Sequence, residues 1–361
     1  MMNATERIKA LFDDDARGAL DRVPTFVQGV NEDFLRQHEE EMFAEETFDF
    51  TNDPRADAAI ALGFDGIFGD FPDAFTYQSA RVVDDTGKIH LVDTEGRENF
   101  PGSKYYKGGF FTNPEILNEV WATVKPKDEV TGLKAIIQRN EEIGSQVCVI
   151  PKAGGIFSRV ILGMGYPAFS KEYRKKTRFY QDVVRFRAEI LQMEIEALAS
   201  LAGSESKPWV VFIADDIAYK GRPMIPPERF VTDYGKYYTG ILKTAADAGI
   251  VPIIHTDGDI TDMVQAFQDV GFRGLQGWEG GCDPSWVAEH FPDFVVMGFG
   301  DMNYVLPFGD EAAIEMHVRE LMDALKEGRH FAIGPSSVVN ATMPIENVRS
   351  FVAHAKIMGT Y

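Results

Sequence analysis

Cysteine is nearly absent: the chain has two, Cys148 and Cys282, in 361 residues, both in or beside apolar segments. Two thiols so placed exclude a disulfide framework and point to a reducing compartment. Long apolar runs are missing too. None approaches the roughly 18 uninterrupted residues that a membrane span needs. The opening MMNATERIKALFDDDARGAL lacks the apolar core and cleavage site of a signal peptide and reads as an amphipathic helix over residues 1–20. Positive charge is in deficit, with 36 Lys and Arg against 56 Asp and Glu, a formal net charge of −20. Such a surface repels nucleic acid and anionic membranes, so neither is expected as a partner. The Gly154-Gly155 turn is far too little for a nucleotide-binding fingerprint. No repeat, low-complexity tract or linker divides the chain. A single cytoplasmic domain over residues 1–361 is the expectation.

What is present is alternation. Nearly continuous apolar runs at residues 23–28, 65–68, 146–151, 210–216, 251–257, 274–279, 294–301 and 331–336 read as strands covered on both faces. Helical stretches follow most of them. The clearest covers residues 177–201, with Val183, Phe186, Ile190 and Met193 at helical spacing. Regular strand–helix alternation favours a parallel sheet, and eight strands in this length favour closure into a (β/α)8 TIM barrel. One segment breaks the pattern. Residues 80–100 alternate polar and apolar around Asp84-Asp85-Thr86-Gly87, which predicts a β-hairpin inserted after the second strand. The aromatic stretch that follows, with Tyr105, Tyr106, Phe110 and Phe111, stacks a substrate or simply packs.

In such a barrel the functional groups lie where strands end. Five consecutive strands here finish in polar, mostly acidic residues: Asp215 and Asp216; His255 and Asp257; Glu279; Asp301 and Asn303; Ser336 and Ser337. Burying those carboxylates costs several kcal/mol each unless a cation, metal or substrate offsets it. His255 and Asp257 stand two apart and point the same way, so both can converge on one ion or substrate. With Glu279 or Cys282 they make a zinc ligand set. Alternatively Asp257 caps the following helix and His255 is a hydrogen-bonded core residue. Asp215, Asp216, His255 and Asp301 are the candidates for acid/base work. Adjacent strand residues face opposite ways, so one of Asp215 and Asp216 faces the mouth and the other is structural. Tyr219, Asn303, Ser336 and Ser337 are candidates to contact substrate.

The segments DDIAYKGRPMIPPERF, VPIIHTDGDI, GFGDMNYVLPFG and GPSSVVNATMPIENV together resemble the uroporphyrinogen decarboxylase superfamily, most closely from about Val210 onward. That superfamily joins true decarboxylases and corrinoid-dependent methyltransferases on one barrel fold. The opening Asp21-Arg22-Val23-Pro24 looks nearer to the methyltransferases. True decarboxylases grip the carboxylates of their tetrapyrrole with an arginine-rich first strand ending, whereas the matching stretch here has no arginine after Arg22. Zinc-dependent members use a His-x-Cys pair and a later cysteine. This chain keeps the histidine as His255 but carries Asp257 and Ser336 or Ser337 instead of the thiols.

The resemblance therefore implies a methyltransferase that moves a methyl group from a small donor, such as a methoxylated aromatic, to the corrinoid of a partner protein. This is O-demethylation, with zinc on His255, Asp257 and Glu279 as a Lewis acid. The alternative is a metal-independent decarboxylase of uroporphyrinogen type, served by Lys152, Arg159 or Lys220. Homodimerisation, common in the decarboxylase branch, rests on the resemblance alone.

Overall fold

The computed structural model describes residues 1–43, 54–70, 74–98, 109–128, 130–201, 203, 209–219, 221–278 and 282–361. Eight strands lie in one sheet in chain order: β1 (Phe26–Val27), β2 (Gly66–Asp70), β3 (Cys148–Gly154), β4 (Val210–Ala214), β5 (Val251–Thr256), β6 (Gly274–Gly277), β7 (Val295–Gly300) and β8 (Phe331–Pro335). Every neighbouring pair is parallel. The edges meet where Thr25 bridges Ile333 in parallel and the Ile333 amide donates to the Pro24 carbonyl at 2.9 Å. With helices between the strands, this is the expected (β/α)8 barrel. The first strand is shorter than its apolar run because Pro24 has no N–H to give a ladder.

Phe26, Phe68, Ile150, Phe212, Ile253 and Met297 pack inside the barrel. Helix α1 (Ala4–Phe12) closes its lower end with Ile8, Leu11 and Phe12. Below the strands the Asp65 carboxylate accepts from Arg7 Nη1 at 2.7 Å, from Arg22 Nη1 at 2.6 Å and Nη2 at 2.8 Å, and from the Thr25 amide at 2.8 Å and hydroxyl at 3.0 Å. Arg22 is therefore committed at the end of the barrel opposite the strand termini, where side chains serve stability.

Helices α2 (Phe157–Met164) and α3 (Arg178–Ala199) follow β3. In α3 the apolar stripe of Val183, Phe186 and Ile190 is buried, and the Thr177 hydroxyl caps the Tyr180 amide at 3.2 Å. After β2 the chain forms an antiparallel ribbon, Ala80–Val83 against Ile89–Val92, turned by an Asp84 carboxylate that accepts from the Thr86 and Lys88 amides. The ribbon is tied to the barrel by Arg187 of α3, which donates to the Thr94 carbonyl at 3.1 Å. Among the described residues no helix is long and apolar enough to cross a membrane.

Candidate active site at the barrel mouth

Side chains alternate along a strand, so the inward column of each strand can be followed from core to mouth. On β5 it runs Ile253, His255 and then Asp257; on β4, Phe212, Ala214 and Asp216; on β6, Gly274 and Gln276. Just past β1 it reaches Gln28. The register pairs His255 with Ala214 on one side and Gln276 on the other. His255 is thus the layer directly above the apolar core, 4% exposed, with the Phe68 ring edge-on at 6.3 Å between centroids.

Four hydrogen bonds fix the state of this imidazole. Ser337 Oγ donates to Gln28 Oε1 at 2.8 Å, so the Gln28 amide nitrogen faces His255 Nε2, at 3.0 Å. On the other side Gln276 Nε2 donates to the Ser336 carbonyl at 3.1 Å, leaving its Oε1 to accept from His255 Nδ1 at 2.5 Å. Only the tautomer with hydrogen on Nδ1 and a lone pair on Nε2 satisfies all four. Burial lowers the imidazole pKa, opposed by Asp216 and the Gln276 bond, while the Lys152 ammonium lowers it further. The ring is held neutral with its lone pair toward the mouth, the arrangement of a ligating histidine with an outer-shell acceptor on its other nitrogen.

Two carboxylates stand near that nitrogen, beyond hydrogen-bond distance. Asp216 Oδ1 lies 3.9 Å and Asp257 Oδ1 3.8 Å from Nε2, and the three ligand atoms are all within 4.8 Å of one another. The side chains are 56% and 42% exposed, with Asp257 Oδ1 itself buried beside the imidazole. Such a group can hold a metal ion or pass a proton. Glu279, the third expected ligand, lies outside the described residues, as does Lys220. Cys282 accepts from Thr261 Oγ1 at 3.5 Å and sits 3.7 Å from Asp259 Oδ1, apart from this group.

Several expected residues take other roles. The Asp215 carboxylate is fully buried and accepts from the Phe157 amide (3.1 Å), the Ser158 amide (2.6 Å) and the Tyr238 hydroxyl (2.5 Å). It holds the start of α2, which removes it from the acid/base pair, and burial raises its pKa. Asp301 is likewise a cap: Oδ1 accepts from the amides of Asn303 (2.8 Å), Tyr304 (2.6 Å) and Val305 (3.3 Å). Asn303 and Tyr219 are exposed, and the Tyr219 hydroxyl is engaged by Arg222. Ser336 and Ser337 do reach the mouth, but as supports of Gln276 and Gln28. Phe111 is core, edge-on to Phe186, and Phe110 packs on His90; Tyr105 and Tyr106 lie outside the described residues.

Gln28 and Gln276 were not singled out by the sequence, although each is a polar residue in the inward register at the end of an apolar strand. The chain turns sharply after Gln276: Gly277 has φ 132°, and a Cβ there would meet the Thr256 carbonyl at 2.2 Å. Trp278 follows at φ 63° and stacks on Phe299, itself at φ 66°, with centroids 5.3 Å apart. Left-handed backbone at two bulky residues costs of order 1–3 kcal/mol each. The turn buries both rings in the wall and leaves Gln276 as the last inward residue of β6.

An eight-stranded barrel with an imidazole and two carboxylates converging at its C-terminal mouth has the architecture of a TIM-barrel enzyme. The uroporphyrinogen decarboxylase (URO-D) family model matches residues 107–357, and the chain belongs to that family. Among solved structures it is similar to a methyltransferase from Methanosarcina mazei, at 18% identity and a TM-score of 0.62, with 98% of each chain covered. It also overlays a chitinase from Chromobacterium violaceum at 7% identity, covering 93% of this chain and 98% of that one. The TM-score of 0.39 in that second case is too low to bear on function. No curated protein matches the chain in sequence.

Proposed function

We propose that this chain is the methyltransferase component of a corrinoid system, taking a methyl group from a small methoxylated aromatic to the cobalt of a corrinoid on a separate protein. The observation that carries this reading is the convergence of Asp216, His255 and Asp257 within 4.8 Å, with the His255 lone pair turned toward them. Asp216, His255 and Asp257 would hold such an ion at the open mouth, within reach of a donor oxygen. Ligand atoms on a tetrahedral zinc stand about 3.4 Å apart, for bonds of about 2.1 Å. The separations of 3.8 and 3.9 Å from His255 would close to that value with small movements of the exposed Asp216 and the half-buried Asp257.

Zinc held there would supply a Lewis acid for an ether oxygen, and a donor set of one nitrogen and two oxygens would suit that hard partner better than a thiol. Gln276 keeps the ligating tautomer, and Gln28 yields the lone pair that its amide covers. In the net reaction the methyl carbon leaves oxygen as a cation equivalent and bonds to reduced cobalt, which provides the electron pair. The C–O pair stays on oxygen, which takes up a proton and departs as a phenol. The open mouth lets that proton come from solvent. Resemblance to the methyltransferase branch and the lack of a first-strand arginine cluster support the same reading.

Reduced cobalamin, or the partner corrinoid protein, mixed with a panel of methoxylated aromatics tests it. Wild type is expected to form methylcobalamin and the free phenol, and His255→Ala to form neither. No methyl transfer from any donor in the presence of the cognate partner refutes it. The second reading, a metal-independent decarboxylase, draws on Lys152 and Arg159 beside the mouth and predicts carbon dioxide release from uroporphyrinogen instead.

A further inference from the structure

Two glutamines hold the His255 ring, and they are not held alike. Gln276 is fully buried with both ends of its amide engaged, Nε2 on the Ser336 carbonyl at 3.1 Å and Oε1 on the Nδ1 hydrogen. Gln28 is half-buried at the mouth. Its Oε1 accepts from the Ser337 hydroxyl at 2.8 Å, and its amide nitrogen stands 3.0 Å from His255 Nε2. Gln276 thus acts on the ring nitrogen that carries hydrogen, and Gln28 on the one whose lone pair a metal would need. An acceptor at Nδ1 makes an imidazole a better ligand through Nε2, whereas a donor at Nε2 competes for the same lone pair.

The main chain under Gln28 is fixed on both sides. Before it, Thr25 bridges Ile333; after it, Val30 bridges Val339. The Val339 amide donates to the Gly29 carbonyl at 3.0 Å and the Asn31 amide to the Val339 carbonyl at 2.9 Å. Gln28 can therefore clear Nε2 by rotating its side chain while its backbone stays in place. An amide that swings out at a half-exposed position meets water, so leaving costs it no unsatisfied donor. Its latch, the Ser337 hydroxyl, comes from the exit of β8, the same turn whose Ser336 carbonyl anchors Gln276.

We propose that Gln28 is a displaceable cap on the ligating nitrogen of His255, latched by Ser337, and that it weakens metal binding by the set of Asp216, His255 and Asp257. Gln28 is a positioning residue that acts through His255 and not itself a ligand. On binding, His255 gives up to the ion the lone pair that the amide covered, and the amide N–H passes to water. The two glutamines on one imidazole pull in opposite directions, Gln276 for the metal and Gln28 against it. One neutral hydrogen bond in such a competition is worth about two- to tenfold in the binding constant. The proposal rests on reading the three residues as a metal-binding set, and it adds what sets the strength of that set.

Zinc affinity by chelator competition tests it on the full chain, for wild type, Gln28→Leu, Ser337→Ala and Gln276→Leu. Gln28→Leu is expected to bind zinc about two- to tenfold more tightly than wild type, and Ser337→Ala to shift the same way by less. Gln276→Leu is expected to bind at least about tenfold more weakly. A second readout needs no zinc. In chelator-treated protein labelled with 15N, the His255 Nε2 resonance, assigned by its loss in His255→Ala, is expected to move downfield in Gln28→Leu. That is the direction for a lone pair that has lost its donor. Should Gln28→Leu fail to fold, Ser337→Ala decides by the same signs. Zinc bound no more tightly by either variant, or an unmoved Nε2 resonance, overturns the cap and leaves the ligand set standing. No zinc on wild type or on any variant overturns the ligand set and the cap with it.

Discussion

His255 sits neutral under two carboxylates, and its titration can be predicted with sign. Burial lowers its folded pKa below the ordinary value. The unfolded chain takes up a proton near pH 6.5 that the native ring refuses, so stability falls as pH drops below about 6.5 and levels off beneath the folded value. His317 and His330 are shifted the same way by burial, so the contribution of His255 is read as the difference between wild type and His255→Gln in denaturant titrations over that range. Gln276→Glu puts a carboxylate against Nδ1 and is expected to raise the imidazole pKa, seen as a later ring titration by NMR. An unchanged titration would mean that Gln276 does not hold the tautomer. At this scale the sequence was half legible. His255 and Asp257 stood out because two polar residues closed an apolar strand in one register. Gln28 and Gln276 did not, since a glutamine advertises no chemistry until its partners are in place.

Adjacent aspartates just past the end of β4 show how elements divide labour. Asp215 accepts two α2 amides and the Tyr238 hydroxyl, whereas Asp216 faces the mouth. Asp215→Ala is expected to lower unfolding free energy by about 1–3 kcal/mol while leaving metal affinity intact. Asp216→Asn should do the reverse, with at least about tenfold weaker metal binding and little change in stability. The two effects falling on one variant would collapse this division. At the opposite barrel end, Asp65 answers two arginines at once, one of them, Arg7, as buried as itself. Asp65→Ala leaves those cations uncompensated and is expected to cost about 3–5 kcal/mol in denaturant unfolding. The Asp-Arg-Val-Pro segment looked like part of a functional signature, yet Arg22 serves this lower network. Composition and spacing could place Asp301 at a strand end, but not reveal that its carboxylate would turn back to cap the next three amides.

For the whole molecule the alternation of apolar runs and helices was enough to read the barrel, because each parallel strand is buried on both faces and its run is continuous. Strand ends shifted by a few residues where Pro24 interrupts the first ladder and where β3 continues through Lys152 to Gly154. That extension carries the inward column through Lys152, whose ammonium lies over the Phe68 ring. Nothing in the linear pattern shows that Arg159, on a helix, fills the inward place of Gly154 on a strand. Family membership fixes the frame, and the chemistry depends on what gathers at the mouth.

The central claim is that Asp216, His255 and Asp257 act together as one ligand set. Elemental analysis of zinc-replete protein tests it most directly, on wild type, His255→Ala, Asp216→Asn and Asp215→Ala side by side. The account predicts close to one zinc per chain in wild type and Asp215→Ala, and little in His255→Ala and Asp216→Asn. A wild type without metal, or zinc undiminished in His255→Ala, would contradict it and leave the three groups to acid/base chemistry alone.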